Sequence, residues 1–254
     1  MNFTGKVVIV TGASSGIGAE SAKGFAYHKA TLALVGRNKE RLDTVAKECE
    51  TINGLKPLTI RLDLTDEGSC EEVIKRTIHK YGKLNVLVNC AGKLILNSLL
   101  DETMHCFDDL YKINLRVPFK LTHLALPHLA ETKGNVVYLK AGMYDVCKPG
   151  FVGFSVINSA LDQLVRAAAI DVATTGVNVN ALNISLCKTN LLKNLNYDDK
   201  AEIDEVYEDI EKETLVKVID PIEAAKMVVF IASGVFPNIN GANIYVDSAA
   251  NFML

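Results

Sequence analysis

A run of β-branched residues, Val7-Val8-Ile9-Val10, leads straight into Thr11-Gly12-Ala13-Ser14-Ser15-Gly16-Ile17-Gly18, and this junction constrains the fold more than any other stretch. An unbroken apolar run with no alternation suits a strand covered on both faces, as in a parallel sheet. From Ala19 to Lys29, the residues Ala22, Phe25, Ala26 and Lys29 follow a helical spacing, and the first three are apolar. The glycines therefore stand where a buried strand turns into a helix. Gly12 allows a tight turn, while Gly16 and Gly18 leave no Cβ between backbone and phosphate or between helix and sheet. Backbone N–H groups and the positive end of a helix hold an anion at such a turn, and in a strand–helix unit that anion is a dinucleotide pyrophosphate. A glycine triplet alone also reads as an ordinary turn; the strand before it and the helix after it supply the context.

The same alternation continues to the end of the chain. Strands are expected at Thr31–Val35, Leu58–Leu62, Val86–Val88, Asn135–Leu139, Val177–Leu182 and Asn243–Asp247. Helical spacing lies between them, at about 39–52 and 104–130 and from Pro221 onward, with a further helix opened by Thr65-Asp66-Glu67. Pro118 falls inside the long helix and is expected to kink it. This order predicts an α/β fold: one doubly wound (Rossmann) domain over 1–254, with a parallel seven-stranded sheet and helices on both faces.

The second strand ends in Gly36-Arg37-Asn38. An acidic residue there would bind the ribose 2′-OH of NAD, whereas a nearby Arg accepts the 2′-phosphate of NADP. Gly36 holds the acid's place and Arg37 follows, so NADP(H) is expected over NAD(H), if either is bound. The other reading of Arg37 is a residue that caps or solvates the next helix.

Gly-x-x-x-Gly-x-Gly after Thr11 resembles the short-chain dehydrogenase/reductase superfamily, and the chain looks broadly like its ketoacyl-reductase type. The resemblance runs over essentially the whole chain. It implies that Asp63 and Leu64 lie against the adenine ring; Asp63 otherwise reads as a cap or turn residue. It also implies that Asn89-Cys90-Ala91-Gly92 passes under the cofactor, with Cys90 in place of the family's second Asn. The cofactor residues it implies are Gly12, Ser14, Ser15, Gly16, Ile17, Gly18, Arg37, Asp63, Leu64, Asn89, Ala91, Gly92, Asn158 and Thr189. Asn114 matches the family Asn whose backbone carbonyl helps hold a relay water.

The family's reacting groups are a Ser, a Tyr thirteen residues later, and a Lys four residues after that. Two anchors, Pro149-Gly150 and Ala160-Leu161-Asp162-Gln163, place these positions at Ala141, Phe154 and Asn158. Phe154 keeps a ring without a proton to give, Ala141 lacks a donor, and Asn158 can bond a ribose hydroxyl but carries no charge. Asn114 is the one member of the constellation retained. The family's Asn-Pro-Gly-x-x-x-Thr is here Asn183-Ile184-Ser185-Leu186-Cys187-Lys188-Thr189, and its Val-Asp-Gly-Gly is Val246-Asp247-Ser248-Ala249. Tyr138, Lys140, Tyr144 and Asp145 are the residues from which a substitute proton donor would come. The expectation is a nucleotide-binding protein without standard hydride transfer, a sensor or partner subunit. The alternative is an active NADP-dependent carbonyl or alcohol oxidoreductase with an unusual donor. A third reading is a scaffold with an empty cleft.

The segment from Asn196 to Glu213 covers the substrate pocket in the family, within a lid expected at about 186–217. It carries nine acidic residues against two lysines, with Ile203, Val206, Tyr207 and Ile210 at helical spacing. That makes an amphipathic helix able to cover a small apolar ligand. Its charges read as a solvated face, and they also oppose acyl carrier protein or coenzyme A esters. The six cysteines show no metal-ligand spacing, which suits reduced thiols in the cytoplasm and no metal. A net charge of −3 argues against nucleic acid, and no apolar run is long enough for a membrane span. The first strand begins too early for a signal peptide. The family's habit implies a homodimer or homotetramer.

Overall fold

Val7–Thr11 forms β1, buried along its whole length, because β-branched side chains pack well on a pleat covered on both sides. The computed structural model describes residues 1–100, 104–141, 149–189, 191, 200–214 and 217–248. The other strands are β2 (Thr31–Gly36), β3 (Leu58–Arg61), β4 (Val86–Asn89), β5 (Asn135–Ala141), β6 (Asn178–Ile184) and β7 (Asn243–Val246). They make one seven-stranded sheet in the order β3-β2-β1-β4-β5-β6-β7, and every adjacent pair is parallel. The chain steps from β1 to β2 and β3, then returns to β4 on the other side of β1. A crevice opens at that reversal, outside the strands' carboxyl ends.

Helices α1 (Gly16–Tyr27), α2 (Lys39–Asn53) and α8 (Pro221–Ala232) cover one face of the sheet. Helices α3 (Ser69–Tyr81), α5 (Val117–Thr132) and α6 (Val152–Asp171) cover the other. The short α4 (Met104–Leu110) precedes α5. The acid-rich α7 (Lys200–Thr214) precedes α8, with Ile203 and Tyr207 buried. The doubly wound sheet of the sequence reading is therefore present. No helix among the described residues is long and apolar enough to cross a membrane.

One local expectation differs. Thr65 does not open a helix: Asp63 Oδ1 accepts from Thr65 N at 2.9 Å and from Thr65 Oγ1 at 2.7 Å, which closes a turn. The helix starts at Ser69 instead, after Gly68 turns the chain at φ +77°. Pro118 lies inside a continuous helical run, as expected: residues 104–132 pass without a break through α4, a π-helical turn at Tyr111–Arg116 and α5. The π turn immediately before it interrupts the regular ladder where proline lacks its N–H. Pro127 is a second proline further along α5.

Candidate functional site

Thr11 ties β1 to β4 at the crevice. Its Oγ1 donates to Val88 O at 3.2 Å and accepts from Cys90 N at 2.9 Å and Ala91 N at 3.1 Å. The sequence reading used Thr11 only as the start of the loop. A buried threonine between a strand and a glycine is the signal that marks it.

The loop after β1 has no room for side chains. Gly12 (φ +66°) lies so near the β4 loop that a Cβ would stand 3.0 Å from Ala91 N. A Cβ on Gly18 would run into the Gly12 carbonyl, and one on Gly16 would come within 3.1 Å of Thr189 Cγ2. The three glycines keep the loop, α1 and the segment after β6 in contact around an open cradle. Such a cradle at a helix N-terminus fits a pyrophosphate.

The cleft that starts there has a volume of about 720 Å³. Gly12, Ser14, Ser15, Gly16, Ile17, Arg37, Asp63, Leu64, Asn89, Ala91, Gly92, Asn114, Ala141, Phe154, Asn158 and Thr189 all line it. Of the sequence-predicted site residues, only Gly18 does not; it lies beneath, packed on Gly12. Arg41 and Lys93 also line the cleft and were missed. Arg41 lies in the first turn of α2, four residues after Arg37, and that pair of arginines close to the end of β2 was the readable signal.

At the β2–β3 end, Arg37 Nη1 lies 3.4 Å from Asp63 Oδ2. The phosphate reader and the adenine-side acid of the sequence reading therefore face each other. Burial pushes the Asp63 carboxyl up, but the Thr65 hydrogen bonds and the Arg37 charge outweigh it and hold it below the usual carboxylate range. A depressed folded value gives stability that is present above the unfolded pKa, about 3.9, and is lost as pH falls through the lower folded value. Asp63→Asn is expected to flatten this part of the acid limb in thermal melts across pH.

The floor is held by side chains. Asn114 Oδ1 accepts from Lys93 N at 2.9 Å, and its Nδ2 donates to Lys93 O at 2.8 Å. This two-way clamp fixes the loop after β4. Asn89 Nδ2 donates to Thr122 Oγ1 at 3.4 Å, and Thr122 Oγ1 lies 2.6 Å from Tyr138 Oη. Burial drives the Tyr138 phenol well above its ordinary range, and it drives the Cys90 and Cys187 thiols up to about 12. None of the three is a ready acid at neutral pH.

Lys140 and Asp162 form a buried ion pair between β5 and α6. The sequence reading counted Tyr138 and Lys140 as substitute donors; both are committed, to Thr122 and Asp162. Tyr144 and Asp145 lie outside the described residues. Asn158, expected to face a ribose hydroxyl, directs its Nδ2 onto Phe154 O at 2.9 Å. Phe154 is buried with Leu94, Leu110 and Ile157, and Ala141 and Leu191 pack against them.

Tyr207 of α7 also lines the cleft. Its hydroxyl donates to Cys187 O at 2.9 Å and accepts from Thr189 N at 3.3 Å. Because Thr189 walls the Gly16 side, this buried phenol braces the cradle. Removing it in Tyr207→Phe keeps the ring but strands two backbone groups, a loss of about 1–2 kcal/mol. A melting temperature lowered by a few degrees in calorimetry checks this.

A glycine cradle at a strand-order reversal, lying over one long cleft, is the architecture of dinucleotide-binding α/β folds. Residues 6–200 match the short chain dehydrogenase family. The chain belongs to that family. It is 29% identical over 250 residues to meso-2,3-butanediol dehydrogenase of Serratia marcescens, covering 98% of this chain and 96% of that protein. It is 28% identical over 254 residues to a 3-oxoacyl-[acyl-carrier-protein] reductase of Thermotoga maritima, covering 97% and 98%. Among solved structures, a short-chain dehydrogenase/reductase of unknown function from Caenorhabditis elegans, with cofactor, superposes with a TM-score of 0.92 at 26% identity, covering 99% of this chain and 97% of that one. One from Burkholderia cenocepacia in complex with NADP gives 0.87 at 26% identity, covering 99% and 100%.

Proposed function

We propose that this chain binds NADP(H) in preference to NAD(H) and lacks the family's standard proton relay, acting as a sensor or as a partner subunit. The observation that carries this is the corner where β5 meets α6. Ala141, Phe154 and Asn158 line the cleft there, and they bring to it no hydroxyl and no charged group. The glycine cradle fits the pyrophosphate, Arg37 and Arg41 suit a ribose 2′-phosphate, and the bound cofactor would supply a hydride at the far end. Asn89, Ala91, Gly92, Asn114 and Thr189 would hold that far half. Segment 186–217 is the lid, with α7 over a small apolar ligand. The exposed carboxylates of α7, Glu205, Glu208, Asp209 and Glu211, oppose an acyl carrier protein. Exposed Phe119 on α5, with Val156 and Ile170 on α6, supports pairing of these helices in a homodimer or homotetramer. The cytoplasm is the compartment this reading assigns.

Calorimetric titration with NADPH and separately with NADH tests the reading. NADPH is expected to bind clearly tighter. Arg37→Ala should weaken NADPH about tenfold, the loss of one charge-assisted contact, and leave NADH unchanged or slightly improved as Asp63 is freed. Equal affinities in the unaltered protein would remove the NADP assignment; no binding of either would leave a scaffold.

The relatives named as dehydrogenase and reductase favour a second reading, an active NADP-dependent carbonyl or alcohol oxidoreductase with a non-standard donor. It requires turnover that survives repurification and disappears in Tyr144→Phe or Lys140→Ala.

A further inference from the structure

Helix α7 packs on the segment that follows β6. Ile203 and Tyr207, buried on α7, lie against Leu186 and Val218. Leu186 and Val218 flank a short neck, in which Lys188 N donates to Ile219 O at 3.1 Å and Ile219 N donates to Leu186 O at 2.8 Å. Beyond this small apolar contact the Tyr207 hydroxyl reaches the backbone of the same segment. It donates to Cys187 O at 2.9 Å, accepts from Thr189 N at 3.3 Å and lies 3.4 Å from Thr189 O. The other side of Thr189 faces the cradle: its Cγ2 stands 3.1 Å from where a Cβ on Gly16 would lie. Gly16, Thr189 and Tyr207 all line the cleft. One phenol therefore stands between α7 and the wall of the phosphate cradle.

We infer that Tyr207 couples α7 to nucleotide binding. When a dinucleotide is seated against Gly16 and Thr189, the Thr189 backbone is held in place, the Tyr207 hydroxyl stays bonded to it, and α7 opens less often. This deepens the reading above and rests on a dinucleotide occupying the cradle. A helix held by a small apolar contact opens locally at low cost, so one or two hydrogen bonds are enough to shift its closed population. The coupling is reciprocal: whatever bound nucleotide adds to the closure of α7, closure of α7 adds to nucleotide affinity. The worth of one or two hydrogen bonds sets its scale, about tenfold.

Hydrogen exchange of the α7 amides, read by mass spectrometry on the full chain with and without saturating NADPH, tests this. NADPH is expected to slow exchange in α7 about tenfold in the unaltered protein and to leave it unchanged in Tyr207→Phe at equal occupancy. By reciprocity, Tyr207→Phe should weaken NADPH about tenfold in calorimetry and leave adenosine 2′,5′-bisphosphate unchanged, because that probe lacks the nicotinamide half. Equal weakening of both probes would mean that the variant has lost the shape of the cleft as a whole, and overturns the coupling. Equal slowing of α7 in both proteins also overturns it. So does NADPH bound to the unaltered protein without any slowing, an outcome that needs no variant and leaves the cofactor reading intact. No binding of NADPH at all overturns both.

Discussion

Asp162→Ala is expected to destabilise the protein by about 3–5 kcal/mol, the usual result of taking one partner from a buried ion pair. The Lys140 ammonium sits between β5 and α6 with its side chain 3% exposed, and Asp162 is its counter-ion. Water cannot easily replace that carboxylate. Chemical denaturation, with its slope unchanged, measures the loss. The control is Lys140→Met with Asp162→Leu, which removes both charges and keeps the volume. Such pairs exchange for apolar residues at little cost. A loss under about 1 kcal/mol in the single variant would mean that the pair is hydrated or that other groups hold Lys140. The pair also bears on the proposed function, because a lysine already neutralised by a carboxylate is a weak substitute for the charged group that reading finds replaced at Asn158.

Rebuilding the family's groups with Ala141→Ser, Phe154→Tyr and Asn158→Lys is expected to raise NADPH-dependent ketone reduction by about 10²-fold or more over the unaltered chain. A positioned acid contributes on that scale, and groups that act as a unit reappear only together. The measurement is NADPH consumption with a diketone and steroid panel. The Asn158→Lys change has a structural consequence: it breaks the bond to Phe154 O and puts a second ammonium one helical turn from Asp162. If the triple variant stays silent while still binding NADPH, the new groups lack the right geometry. If the unaltered chain already turns over and the triple variant does no better, the chain has its own donor and the second reading stands.

The sheet was legible because each strand is a short apolar run between polar helices, and such runs are buried wherever they fall. The glycine turn was legible for a similar reason, since three glycines at a strand–helix junction mark a close backbone approach. Arg37 could be read from its place at the end of β2. Its pairing with Asp63 could not, because the two residues are 26 apart in sequence and meet only when β3 lies beside β2. Asn158 was expected to face a ribose hydroxyl; it lines the cleft, but its amide bonds within its own helix. Thr65 looked like a helix start because it precedes two acids; the Asp63 side chain had already claimed its N–H.

Periodicity and residue type decided the elements, their order and the place of the crevice, since these follow from local burial and chain direction. The partners of Lys140, Tyr138 and Tyr207 were decided by folding, since each lies on an element that meets its partner only across the sheet or over the cleft. A side chain's chemistry is written in its residue type. Whether that chemistry is available to a ligand depends on what else lies within about 3 Å of it, and spacing along the chain does not encode that distance.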